Sequence, residues 1–160
     1  MTSSWHIRTA TGSDASAMSA CVDAAYRHYK KRMKQNPGPM LDDYNVVAAR
    51  AGSFVAERAG EIVGVLVLIA GSNRILLDNI AVQPSLQGTG LGKALLQKAD
   101  DYARTQGYSS LTLYTHELMY ENIAMYLRTG FIETHRIIEN GFARVYMRKP
   151  LTREAKRNEE

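Results

Sequence analysis

Gln87-Gly88-Thr89-Gly90-Leu91-Gly92 is the stretch on which the reading of the fold turns. Three glycines alternate with other residues between an apolar, β-branched segment, Ile75 to Val82, and an amphipathic segment that begins at Leu91. Glycines let main-chain N–H groups approach a ligand with no side chain between, and a helix N-terminus adds partial positive charge. Strand, glycine turn and helix in that order make a cradle for phosphate oxygens. The Walker pattern does not fit: Gln87 stands where its first glycine belongs, and Ala94 where its Ser or Thr belongs. The dinucleotide pattern fails too, because its third glycine would fall on Lys93 counted from Gly88, or on Leu95 counted from Gly90. A strand-to-helix turn that binds nothing needs only one or two glycines.

Working outward, the helix after the loop points Leu91, Ala94, Leu95, Ala99 and Tyr102 inward and Lys93, Gln97, Asp100, Asp101 and Arg104 outward, and Gly107 closes it. Upstream, Trp5 to Ala10 alternates as a strand. A helix runs from Asp14 through Tyr29 until Asn36-Pro37-Gly38-Pro39 stops it, and a second helix spans Leu41 to Ala51. Ser53 to Arg58, the turn Ala59-Gly60 and Ile62 to Ala70 form a hairpin whose second strand is apolar enough to be buried on both faces. Downstream come a strand over Leu111 to Thr115, a helix over Met119 to Arg128 and a strand over Phe131 to Ile138. The turn Asn140-Gly141 then leads into a last strand over Phe142 to Met147. This order predicts an α+β domain with a mixed, mostly antiparallel sheet and helices on both faces.

The chain has 160 residues and a net charge of +4. That length suits one domain, expected over 1–150 with a charged tail over 151–160. The apolar run Ile62 to Ala70 is too short to cross a bilayer, and the N-terminus shows no basic stretch leading into an apolar one. Cys21 is the single cysteine, so no internal disulfide is possible and a cytoplasmic location is expected. His6, His28, His116 and His135 lack ligand spacing, so no metal is predicted. The basic run from Arg27 to Lys34 reads as a solvated helix face, and neither nucleic acid nor membrane is an expected partner.

Gln87-x-x-Gly90-x-Gly92 resembles the coenzyme A pyrophosphate loop of the GNAT superfamily of N-acetyltransferases. Leu77-Asp78-Asn79-Ile80-Ala81-Val82-Gln83-Pro84 is similar to the strand that leads into that loop, and Tyr126-Leu127-Arg128-Thr129-Gly130-Phe131 to the family's tyrosine-to-glycine-phenylalanine signature. The likeness runs from Ile7 through the final strand. It implies a sheet splayed between two strands, with the pantetheine arm of acetyl-CoA in the gap. The backbone at Ile80, Ala81 and Val82 would pair with that arm, and Gln87, Gly88, Thr89, Gly90, Leu91 and Gly92 would hold the pyrophosphate. Lys93 is either an added charge or a solvated helix residue.

The resemblance makes Tyr126 the general acid that protonates the departing thiolate, where helical spacing alone would make it a core aromatic. The common family pattern has an asparagine at the place of Met119. Asn122, one turn before Tyr126, takes over the coenzyme contact or braces the helix start. Asp78 is the leading general base, read as sharing a strand face with Ile80 and Val82. His116, Glu117 and a water chain are the rivals. The acceptor pocket is expected from the first two helices, with Tyr26, Tyr29, Met40 and His116 contributing. Cys21 is expected away from the coenzyme loop, which favours direct transfer to a primary amine in a ternary complex, with a homodimer as one assembly found among relatives. The competing reading is a non-catalytic acyl-CoA sensor that keeps the glycine loop but has no use for Tyr126.

Overall fold

The computed structural model describes residues 4–151, so the tail from Thr152 onward lies outside the described residues. The helices are α1 (Ala15–Met33), α2 (Tyr44–Ala49), α3 (Leu91–Thr105) and α4 (Tyr120–Arg128). The strands are β1 (His6–Thr9), β2 (Ser53–Arg58), β3 (Glu61–Ala70), β4 (Ile75–Val82), β5 (Ser110–His116), β6 (Ile132–Glu139) and β7 (Phe142–Pro150). They build one seven-stranded sheet in the order β1-β2-β3-β4-β5-β7-β6, antiparallel except between β4 and β5. The expected fold class is therefore present, and β3 is buried along its centre on both faces as its composition requires.

Two apolar layers sandwich the sheet. Val55, Val65, Val67 and Ala81 meet Met18, Val22, Tyr26 and Tyr29 of α1 and Val47 of α2 on one face. Leu66, Leu68, Leu77 and Ile80 meet Leu91, Leu95 and Ala99 of α3 on the other, with Tyr126 of α4 in the same layer. Alternate residues of one strand serve opposite layers, so each strand needs both sets to be apolar.

Local chemistry sets several boundaries away from their expected places. α1 runs to Met33 and ends with Lys34 in the left-handed region (φ 60°) ahead of the prolines. The second helix starts three residues late: Gly38–Leu41 forms a 3-10 turn, Asp42 is extended, and the Asp43 carboxylate accepts from Asn45 N to cap α2. Asp100 does not face outward. It is buried, and its Oδ2 accepts from Lys149 Nζ of β7 at 2.6 Å, a long-range partner that helical periodicity cannot reveal. At the opposite edge, Arg8 of β1 grips the buried Asp14 through two hydrogen bonds of 2.9 and 3.0 Å, which holds that carboxyl down at about 2.

Candidate active site

The sheet opens where β4 and β5 should continue side by side. The two strands pair only at Ile75–Leu111 and Leu76–Thr112 and then diverge. Gln83 N donates to Val63 O on the β3 side, so alternation turns the main-chain groups of Ile80 and Val82 toward the gap. Two side chains confirm that orientation: Tyr26 Oη donates to Ile80 O at 2.9 Å, and Gln87 Nε2 donates to Val82 O at 3.2 Å.

Beyond the gap lies the glycine loop. Gly88 and Gly90 have φ of 81° and 99°, conformations that disfavour a residue with a side chain. Gln87 N and Thr89 N donate back to Pro84 O and Leu86 O. Among the described residues, the amides of Gly88, Gly90, Leu91, Gly92 and Lys93 have no main-chain acceptor, and they cluster at the positive end of the fifteen-residue α3. Thr89 Oγ1 turns back to Leu86 O and the Leu91 side chain is buried, so both offer only main chain to a ligand. Lys93 is exposed on the helix surface. Gly92 packs closely for another reason: a Cβ there would lie 3.1 Å from Met125 Sδ, on the wall of the groove, and that side chain would have to shift.

Ile80, Ala81, Val82, Gln87, Gly88 and Gly92 line one side of this groove, a cavity of about 420 Å³; Tyr29, Asn122 and Met125 line the other. Tyr29, expected in the acceptor pocket, lines this groove and not the second cavity. Its hydroxyl accepts from Asn122 N at 3.1 Å, which braces the first turn of α4, while Asn122 itself also lines the neighbouring cavity. Met119 turns inward to accept from Thr115 Oγ1.

The second cavity, about 160 Å³, is lined by Tyr26, Asp42, Asp78, Tyr114, His116 and Tyr126 among others. Tyr126 is only 4% exposed and its hydroxyl has no hydrogen-bond partner among the described residues. Burial pushes the phenol above its ordinary range, so it stays protonated at neutral pH. Tyr26, shared by both cavities, is likewise raised by burial and remains a donor to Asn79 Oδ1 and Ile80 O.

Asp78 occupies this cavity for a reason that strand alternation hides. Val67 pairs with Asn79 and Leu68 with Leu77, leaving Asp78 as the extra residue of a β-bulge. Leu77, Ile80 and Val82 consequently pack toward α3, whereas Asp78 lies toward Tyr26, Tyr44 and Asp42. It does not share a face with Ile80 and Val82. Burial, and then the charge of Asp42, push its carboxyl up.

The rival bases are less suited. His116 Nδ1 accepts from Leu118 N at 3.0 Å, which occupies its lone pair and leaves the proton on Nε2, and burial lowers its pKa. Glu117 is exposed and faces Arg136 at 3.7 Å. Met40 does not line the acceptor cavity either: it lies in an outer hollow with Asp23, Arg27, Lys30 and Lys34, because the 3-10 turn swings it away. Cys21 is buried beside the main chain of Gln83, nearer the loop than expected; burial raises its thiol to about 12 and keeps it inert. Sequence reasoning missed Asp42, Asn79, Tyr114 and Arg144, which only the folded register gathers.

Comparison with known proteins bears on the family and the fold. The family model for the acetyltransferase (GNAT) family matches residues 18–131. N-acetyltransferase family 8 member 2 of Rattus norvegicus is 33% identical over 90 residues, a stretch covering 52% of this chain but only 40% of that protein. The paia N-acetyltransferase of Thermoplasma acidophilum, solved in complex with coenzyme A, superposes with a TM-score of 0.71 at 18% identity, covering 92% of this chain and 99% of that one. Ard1 of Thermoplasma volcanium superposes with a TM-score of 0.72 at 17% identity, covering 93% and 99%. At such identities the structures speak for the fold alone.

Proposed function

The chain belongs to the acetyltransferase (GNAT) family, and from that premise we propose that it is an acetyl-CoA-dependent N-acetyltransferase acting directly on a primary amine. The observation that carries the proposal is the set of free amides at Gly88 and Gly90 to Lys93 beside a groove that shares Tyr26 and Asn122 with the cavity lined by Tyr126. The reading takes residues 1–150 as one catalytic domain. It places the protein in the cytoplasm, on the strength of its single thiol. Among the described residues no helix is long and apolar enough to cross a membrane, and no group of side chains could hold a metal ion.

Acetyl-CoA, when bound, supplies an acetyl group activated as a thioester. The amides of Gly88, Gly90, Leu91, Gly92 and Lys93 would bind its diphosphate, and the main chain at Ile80 and Val82 would align the arm along β4. Tyr26 and Gln87 hold those two carbonyls meanwhile, and each carbonyl has a second lone pair to offer. Asp78 takes a proton from the acceptor's ammonium, since an alkylamine near pKa ~10.4 is otherwise protonated at neutral pH. The C–N bond forms as the C–S bond breaks, and Tyr126 donates its proton to the sulfur. The acylated nitrogen still carries an extra proton, which returns to Tyr126, and Asp78 passes the first one to solvent, so the ammonium and thioester yield an amide, a thiol and one free proton. Buried Cys21, raised to about 12, offers no acyl-enzyme route.

Thiol release from acetyl-CoA with a panel of amines, beside calorimetry of coenzyme binding, tests the reading. Turnover with an amine supports it. Coenzyme binding without turnover on any acceptor points to a sensor, and no coenzyme binding at all removes the reading.

A further inference from the structure

The acceptor cavity holds carboxylates at two depths. Asp78 is half-buried on the bulge of β4, and Asp42 is exposed on the extended residue that precedes α2; both line the same enclosure with Gly38 and Pro39 beside them. Neither is neutralised there. Arg144, a cation on the lining, is already bound to Glu139 Oε1 at 2.9 Å and stacked 4.4 Å over the Tyr114 ring. Arg50 is near enough to favour the ionised form of both carboxylates, yet it is exposed, does not line the cavity and makes no ion pair with either. His116 is held toward neutrality by burial. Tyr126, a side chain 4% exposed whose hydroxyl has no partner among the described residues, lines the same space, which marks where the thioester and the attacking nitrogen meet.

Resting on the acetyl-transfer reading, we propose that the acceptor is a small aliphatic diamine or polyamine, with its reacting amine between Asp78 and Tyr126 and a second ammonium held by Asp42 at the rim. A monoamine would leave the rim carboxylate without a partner. The methylene chain has Met33, Leu77 and Phe142 to lie against. The enclosure, about 160 Å³, suits a free small molecule better than a folded polypeptide's chain end.

Two measurements decide the matter. In thiol-release assays a four-carbon α,ω-diamine should exceed butylamine in kcat/KM by about five- to tenfold, a modest factor because Asp42 is exposed and screened. Asp42→Asn should bring the two amines level, and Asp42→Glu should restore the preference. Equal rates in the native protein, a preference that survives Asp42→Asn, or faster transfer to a dipeptide would each overturn the proposal. Calorimetry separates this from a failure of acetyl transfer itself. Diamine binding tighter than butylamine without turnover supports the proposed pocket while removing the transfer reading. No diamine binding with normal turnover of other amines removes only the proposal.

Discussion

Tyr26 of α1 and Asn79 of β4, 53 positions apart, are joined by a buried hydrogen bond of 3.0 Å from the phenol to the amide oxygen. Asn79 Nδ2 in turn donates to Tyr44 Oη at 3.0 Å, and Tyr44 Oη donates to Pro39 O at 2.7 Å. One amide thus ties the sheet, both α1 and α2, and the segment that roofs the acceptor cavity. Asn79→Ala removes two buried hydrogen bonds, although Tyr26 keeps Ile80 O and Tyr44 keeps Pro39 O as acceptors, and should cost about 1–3 kcal/mol. Urea unfolding checks this; an unchanged midpoint would contradict the network's role.

Tyr126→Phe removes a hydroxyl that none of the described residues hydrogen-bonds. Stability should therefore stay within about 0.5 kcal/mol of the native protein, while kcat falls about 10²-fold, at the lower end for a proton-transfer group. Thermal unfolding and thiol release on the same preparation give both numbers. Loss of stability without loss of kcat would return Tyr126 to the core.

Gly90→Ala places a side chain at φ 99°. It should destabilise the fold by about 1–2 kcal/mol and weaken coenzyme binding more than it changes the acceptor preference. Calorimetry with coenzyme A, at a temperature where the variant is folded, distinguishes the two effects.

Asp78 must be ionised to accept a proton, so kcat/KM should fall as pH falls through its pKa. Burial and the charge of Asp42 raise that pKa, which sets the acid limb above the ordinary carboxylate range. Replacing Asp42 by Asn should move the limb to lower pH. A pH–rate profile that stays put would separate the two carboxylates.

Asp14 has the opposite sign. Arg8 lowers its pKa from 3.8 to about 2, so the pair's contribution is present above the unfolded value and is lost as pH falls from about 4 toward 2. Unfolding followed across that window should show a steeper acid decline in the native protein than in Asp14→Asn.

Much of this molecule is legible in its residues. The glycine loop, the amphipathic α3 and the Asn140-Gly141 hairpin depend on local chemistry, and the structure places them where that chemistry says. Asp78 and Asp100 mark the boundary. Strand period two assigns Asp78 to the wrong face because an unpaired residue resets the alternation, and such a bulge depends on the register with β3. Helical period 3.6 sends Asp100 to solvent because its partner, Lys149, lies on a strand 49 positions later. Met40 was misplaced by a 3-10 turn that continues past two prolines. Asp42 escaped notice because the second helix was expected from Leu41, which places residue 42 inside a helical run instead of leaving it extended.

The ladder between β4 and β5 is only two pairs long, Ile75–Leu111 and Leu76–Thr112, and past it the two halves of the sheet are joined through the core beneath α3 and not by main-chain rungs. An extended guest lying in that opening supplies the rungs the protein omits. Occupancy should therefore slow amide exchange along the free stretches of β4 and β5, which makes that exchange a gauge of how full the cleft is.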